Sequence, residues 1–556
     1  MHRLQKIVNF LALKKQDISV CIFILVINLF AHLPELLNKY CVYPDLIYAF
    51  PYFRYSDYSL FSGDIVSRYI LFHAALMKYN AVLFHNIFIF LARITDLFIF
   101  PKAISLLCGI ASGFIVYVNS KKKWGSDFAF YLAVIFLVYS LCTDAFWGGL
   151  ERGFGYMATT IFFFSLIQRN YFGMLISIAI ALTSYLVACP GMLLASFVLV
   201  MFDLKKINRQ TVLFIIGLAC AGAYLFVPVA SSSNFATTFN HSVDYKYIYA
   251  PPLIKTKYLY GGEGYFFNNT FSFIEYFLNC FLNLNEHLTS LYTFLTFLFM
   301  IFGSFVILFF KDFRKNLEKE VWIFFISYIV VFFAVSAFYS PLIASRTVVS
   351  AIPILLVFLF AKAIYYISKL ISRALIFGVS LLIALSFIIF CPHNNIRDYA
   401  SYKPLFDYVE KLPKNALLAG TIRTLEPVPF FSHRPVFYMT VYSTMPTNGD
   451  FYNEVEKRKR QLLEALYGDS LEAIKSLVKS YGITHMVIEK KYFGSDFLNN
   501  LRDPTVHGLY IGLIKEIINK NKKRSFPVLG LTEISDFNYR DIVVVDAKKI
   551  LNYIEK

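Results

Sequence analysis

At 556 residues, 58% hydrophobic and only 16% charged, the chain is too apolar to fold as a soluble protein of its length, so most of it must dissolve in lipid. A net charge of +17 raises nucleic acid as a partner, but the lysines and arginines fall in short loops between apolar runs, which excludes that reading and makes them a membrane-topology signal. Aromatic residues make up 19% of the chain, a content suited to membrane interfaces and to surfaces on which sugar rings stack.

A helix needs about 20 apolar residues to cross the hydrocarbon core. Runs of that kind predict eleven spans, near 18–36, 101–118, 127–143, 153–168, 172–187, 190–203, 210–229, 289–310, 321–338, 343–361 and 374–391. The first lacks a small-residue cleavage site and reads as a signal anchor. Cys189-Pro190 reads as a tight turn between the fifth and sixth spans. The eight cysteines show no CxxC spacing and read as small buried hydrophobes.

Eighteen Lys/Arg lie in the loops of one side, from Arg3 through Lys121–Lys123 and Arg169 to Arg373, whereas the short loops of the other side hold Arg152 and Arg346. The N-terminus is therefore expected in the cytoplasm and the C-terminus outside, in a plasma or inner membrane. The apolar segment 69–99 is broken by His73, Lys78, His85, Arg93 and Asp96. Counting it as a span would reverse every later loop, so it is expected to form helices lying in the outer interface. The predicted division is a transmembrane part over 1–391, with outer segments 37–100 and 230–288, and an extracytoplasmic α/β domain over 392–556. In that tail NALLAG (415–420), PVFYM (435–439), THMVIE (484–489) and DIVVVD (541–546) read as strands, and 453–467, 470–481 and 508–521 as helices.

No nucleotide, dinucleotide, zinc-protease or serine-hydrolase motif is present. What stands out is the stretch VYPDLIYAFPYFRYSDYSLFSGDIV (42–66), just past the first span. Moving a sugar off a lipid phosphate needs a base for the acceptor, a cation for the leaving phosphate and aromatic faces for the sugar. This stretch supplies Asp45, Asp57 and Asp64 for the first, Arg54 for the second and Tyr52 among the third. Asp57 and Asp64 also read as turn and helix-cap residues, since SDYS and SGD are turn chemistry. Glu35, in HLPE at the end of the span, is a further candidate whose plainer reading is an interfacial carboxylate. The second outer loop, DAFWGGLERGFGYM (144–157), offers Trp147 as a stacking face, with Glu151 and Arg152 pointing charge at the outer surface; an ordinary Gly-rich turn fits it as well. In SPLIASRTVVSAIP (340–353), Arg346 stands at the mouth of the tenth span, placed to meet a phosphate or to snorkel to headgroups.

The layout as a whole resembles the GT-C superfamily of integral-membrane glycosyltransferases. The resemblance rests on YAFPYFRYSDYSLFSGD, GGLERGFGY, SRTVVSAIP and the tail segments PLFDYVEKLPKNALLAGTIRTLEPVPFFSHRPVFY and KSYGITHMVIEK, and it covers essentially the full chain. The tight acidic pair that many members carry after the first span is absent, and Asp45 stands alone between Pro44 and Leu46. The resemblance implies a polytopic, GT-C-like helical membrane fold with an outer α/β domain. It further implies a polyprenyl-phosphate sugar as donor from the membrane lipid, a lipid-linked glycan, cell-surface polymer or protein as acceptor, and a single inverting displacement. Asp45 would then be the base with Asp64 as rival or helper, and Arg152 and Arg346 would hold the phosphate. A divalent cation stays open as cofactor. Three other readings also stay open: a lipid-linked-sugar transporter or flippase, a catalytically inactive scaffold of envelope assembly, and a polysaccharide polymerase or ligase.

Overall fold

The computed structural model describes residues 2–61, 86–87, 89–90, 93, 98–142, 151–203, 208–231, 318–338, 351–370, 378, 396–440, 442, 449–494, 497, 508–520 and 526–556. Among the described residues nine long helices form a bundle: α1 (His2–Leu37), α2 (Phe100–Trp124), α3 (Ser126–Cys142), α4 (Glu151–Gln168), α5 (Tyr171–Ser184), α6 (Cys189–Asp203), α7 (Arg209–Ser231), α8 (Lys319–Phe338) and α9 (Ala351–Leu370). They correspond to nine of the eleven predicted spans; that at 289–310, that at 374–391 apart from Gly378, and most of segment 69–99 lie outside the described residues. Among the described residues, Asp17–Leu37, Phe100–Trp124 and Leu186–Asp203 are long and apolar enough to cross a membrane. The chain is an integral membrane protein. Between α5 and α6 the break falls earlier than expected: Tyr185 leaves the helical region, Leu186–Ala188 form a 3-10 turn, and Pro190 sits in the first turn of α6, where its missing N–H costs nothing.

The bundle has two chemically distinct ends. Asp17 of α1 pairs with Lys121 and Tyr117 near the C-terminal end of α2. At the same end Lys123 caps Ile167 of α4, Trp124 and Lys362 share Glu318, and Arg169 bridges Asp203 and Glu320. These links gather many of the basic loop residues and tie α1, α2, α4, α6, α8 and α9 together where their ends meet.

At the opposite end α1 gives way to a turn and to β1 (Cys41–Val42), which pairs antiparallel with β2 (Arg397–Asp398). The loop after the first span and the start of the C-terminal region are thus side by side, at one end of the bundle. Tyr399 N–H donates to Tyr40 O at 3.0 Å, extending the ribbon. A 3-10 helix over Pro44–Tyr55 follows β1.

The C-terminal region builds a four-stranded sheet in the order β3 (Leu418–Gly420), β4 (His485–Glu489), β6 (Ile542–Asp546), β5 (Phe537–Tyr539). Strands β3 and β4 run parallel, the other neighbours antiparallel, with Leu418 opposite His485 and His485 opposite Asp546. MVI of β4 and VVV of β6 are buried on both faces, the pattern of strands covered above and below by helices. Of the surrounding helices, α10 (Lys403–Glu410), α11 (Gly449–Tyr467) and α14 (Ala547–Glu555) lie on the sheet, and α12 (Leu471–Tyr481) and α13 (Gly508–Lys520) pack on α11. Ser470 caps α12 through Glu472 N–H, and Asp546 caps α14 through Lys548 N–H. Gly420 ends β3 with φ +148°, where a Cβ would stand 1.8 Å from Val487 O, so only glycine lets β3 lie this close to β4. Two strand expectations need correction. PVFYM (435–439) contributes one bridge, Val436 to Leu418, because Phe437, Tyr438 and Met439 pack as core anchors rather than as a ladder. Strand β5, with its polar Asn538, carries no such apolar run and was not anticipated.

One continuous buried apolar cluster runs from the bundle through the 3-10 helix into the sheet. Its joint is aromatic. Phe53 lies against Phe98, Phe430 and His433 at ring separations of 5.6, 5.6 and 4.3 Å, and Phe431 touches Phe98, Phe406, Tyr399 and Tyr40.

Candidate active site

Asn28, His32 and Glu35 recur at i, i+4 and i+7 along α1, so they share one face, and all three are fully buried. Asn28 Nδ2 donates to Ile24 O at 2.8 Å, and Gly109 of α2 leaves the room its amide occupies. His32 Nδ1 lies 3.3 Å from Glu35 Oε2, and the Tyr43 N–H donates to Glu35 Oε1 at 3.1 Å. Glu35 is therefore no interfacial carboxylate: it is sealed between the helix end and the returning chain.

Just past Glu35 the helix ends, its Glu35 side buried and Leu37 and Lys39 exposed. Asn38 Oδ1 accepts from Tyr40 N–H at 2.9 Å, closing an Asx turn. The exposed carbonyls of the last turn are met by Lys102, which follows Pro101 at the start of α2 and is 3% exposed; its Nζ donates to Glu35 O at 2.5 Å and to Asn38 O at 2.9 Å. From α4, Arg152 lays its guanidinium 4.6 Å from the centre of the Tyr43 ring. Lys39 stands 4.2 Å over Phe98. The result is a group of cations set against aromatic rings at the end of the bundle, beside the β1–β2 ribbon.

The predicted residues fall on this frame unequally. Asp45 lies in the first turn of the 3-10 helix, two residues beyond Tyr43, its side chain outside the described set. Arg152 does not point at the open surface, as expected, but is half-buried against Tyr43, because α4 packs against α2 and brings its first turn over the loop. Glu151 opens α4, with its side chain outside the described set. Arg54 is half-buried on the last turn of the 3-10 helix, and Tyr52 packs 6.3 Å from Tyr55. Asp64, Trp147 and Arg346 lie outside the described residues, as does the loop 230–288 beyond Ser231. Asp57 makes the expected turn, its Oδ1 accepting from Ser59 N–H and Oγ–H, and its Oδ2 also takes Lys414 at 2.7 Å. That lysine holds the Asp57 carboxyl down at about 2.

Sequence reasoning overlooked Lys102 and His32. The signal for His32 was present in its i+3 spacing to Glu35 within an apolar run, since an ionisable residue inside a span rarely lacks a partner. The signal for Lys102 was weaker: a lysine at a span's edge ordinarily snorkels. The Glu35 carboxylate is committed to His32 and Tyr43, and among the described residues no three His, Cys, Asp or Glu side chains converge to hold a metal ion.

No protein-family model matches the chain, and no curated protein matches its sequence. Among solved structures, the fold is similar to the archaeal oligosaccharyltransferase AglB from Archaeoglobus fulgidus in complex with an inhibitory peptide and a dolichol-phosphate, with a TM-score of 0.50 and 9% identity over 88% of this chain and 72% of that one. The A. fulgidus oligosaccharyltransferase in its apo form gives 0.48 at 10% identity over 86% and 70%, and its complex with Zn and sulfate gives 0.47 at 11% over 88% and 70%. The similarity to AglB is one of fold, and it accords with the GT-C resemblance read from the sequence.

Proposed function

We propose that this chain is a membrane glycosyltransferase that moves a sugar from a polyprenyl-phosphate donor to a glycan, polymer or protein acceptor at the outer face. The observation that carries the reading is that Arg152, lying over the Tyr43 ring, stands beside the backbone turn bearing Asp45. A guanidinium fixed on an aromatic face loses little freedom when it takes up a phosphate, and its fork matches phosphate oxygens. The neighbouring Lys102 and Lys39 add positive potential for the leaving group.

In the reaction the acceptor's nucleophile attacks the anomeric carbon, and its proton passes to the Asp45 carboxylate. The bond from that carbon to the phosphate oxygen breaks, and its electron pair leaves on the polyprenyl phosphate, whose charge Arg152 meets. Asp64, Arg54, Tyr52, Trp147, Glu151 and Arg346 remain the candidates for completing the sugar and phosphate contacts. Residues 1–391 are the membrane part and 392–556 the extracytoplasmic α/β part of this enzyme. The AglB structure of similar fold was solved with a dolichol-phosphate and a peptide, which puts a lipid phosphate and peptides among the first compounds to offer.

The test is donor consumption by the purified full chain in lipid nanodiscs, offered a panel of polyprenyl-phosphate sugars. Asp45→Asn is expected to lower turnover by at least about 100-fold while the protein stays monodisperse. Full turnover by Asp45→Asn would remove Asp45 as the base, and no consumption of any donor by the unaltered chain would sink the glycosyltransferase reading.

A further inference from the structure

Residues 38–43 leave α1 at the end of the bundle and lead directly to Asp45, and hydrogen bonds to side chains of α1 and α2 hold them on one flank. We infer that Glu35 and Lys102 are positioning residues: a buried clasp that fixes the turn presenting residue 45 and the Tyr43 ring on which Arg152 rests. The inference rests on the proposed role of residue 45.

Glu35 works from both ends. Its backbone carbonyl takes Lys102 Nζ, and its side chain reaches eight residues ahead to the Tyr43 N–H. Lys102 in turn holds Asn38 O, so the turn is gripped at residues 35, 38 and 43. Glu35 is 0% and Lys102 3% exposed, and an exposed water network cannot replace these bonds. At Glu35 O and Tyr43 N–H, where the bonds are buried, a lost bond leaves a backbone acceptor or donor stranded, so the turn would have to move. On its other flank the same segment is held by the β1–β2 pairing and by Tyr399 N–H on Tyr40 O. Both Glu35 oxygens are already engaged, Oε1 by Tyr43 and Oε2 by His32, which is the geometry of an anchor and not of a group open to an acceptor.

The chemistry of the clasp separates the two roles. A glutamine at position 35 keeps an oxygen for the Tyr43 N–H and offers an amide N–H to the His32 ring nitrogen, so it preserves the anchor while abolishing any base. A leucine preserves neither. In the full chain in nanodiscs, Glu35→Leu and Lys102→Met are expected to lower kcat by about 10- to 100-fold, with donor KM within about threefold, because a turn displaced by an ångström misplaces the reacting groups. Glu35→Gln is expected to retain at least about a third of kcat. Amide hydrogen exchange of the peptide over 38–48 should rise in the Leu and Met variants and not in Gln, with peptides from α3 and α12 unchanged, a pattern that general loss of structure would not give. If Gln is as slow as Leu, the carboxylate itself takes part in the reaction and the positioning role falls. If neither Leu nor Met changes exchange at 38–48, the clasp does not exist, and should Leu fail to fold, Lys102→Met and Gln still decide. A chain that consumes no donor would defeat the glycosyltransferase reading alone, since the exchange measurement decides the clasp without it.

Discussion

Glu35 and Glu426 are both buried carboxyls, and they differ in what their surroundings do with the charge. Glu35 has the His32 ring and a backbone N–H on its two oxygens. Glu426, in the C-terminal region, is raised above the ordinary carboxyl range by burial, while Arg397 and Arg423 pull the other way. A carboxyl raised on folding carries no penalty below its unfolded value, and the penalty grows as pH climbs through the folded value. Glu426→Gln is therefore expected to raise the melting temperature at pH 8 and to leave it nearly unchanged at pH 4.5. Thermal scans of the two proteins in the same detergent at both pH values check this, and an equal shift at both would contradict the ionisation argument.

At the scale of elements, the joint between the first loop and the sheet is aromatic in substance and ionic at its edge. Phe430 and Phe431 sit on a short helical turn, Val428–Ser432, and are 1% and 3% exposed against Phe53, Phe98 and Phe406. Truncating such a residue costs about 3–5 kcal/mol. The Asp57–Lys414 pair joins the same two parts, but with both side chains more than a third exposed it is worth at most about 1 kcal/mol and is screened by salt. Phe431→Ala is thus expected to destabilise the chain several-fold more than Lys414→Ala, as measured by denaturant unfolding of the detergent-solubilised protein. Comparable losses would mean that charge, not packing, docks the loop. The elements themselves were largely readable in the sequence. The helices over 449–467, 471–481 and 508–520 and the strands β3, β4 and β6 fall where their periodicity puts them, because each buries a face or a full run that is written locally. Strand β5 and the bridge at Val436 were not legible, since an edge strand three residues long and a lone bridge leave no periodic trace.

For the whole molecule, β1–β2 pairing puts the first loop and the C-terminal region at one end of the bundle, and the Asp17–Lys121, Arg169–Glu320 and Lys362–Glu318 links stand at the other. With the basic end inside, a membrane-impermeant maleimide applied to intact cells is expected to label cysteines placed at the exposed positions Lys414 and Lys556, and to miss those at Lys122 and Lys319. The reverse pattern would invert the topology.

Taken alone, the sequence determined the membrane class, the apolar runs that become the described bundle helices, the separation of basic from acid-and-aromatic loops and the α/β character of the tail. A bilayer imposes hydropathy and charge asymmetry on each segment by itself, so these features are one-dimensional. Which polar groups meet was decided only by the tertiary structure: Lys102 reaches back 67 residues to Glu35 and 64 to Asn38, Arg152 finds Tyr43, and Lys414 finds Asp57 across 357 residues. Those meetings depend on how each helix is rotated about its axis and where the chain returns after many crossings, and no local pattern encodes either. Glu35 shows the consequence, since an acid at the end of an apolar run reads as a surface group until the helix beside it supplies a lysine and the turn beyond it supplies an N–H.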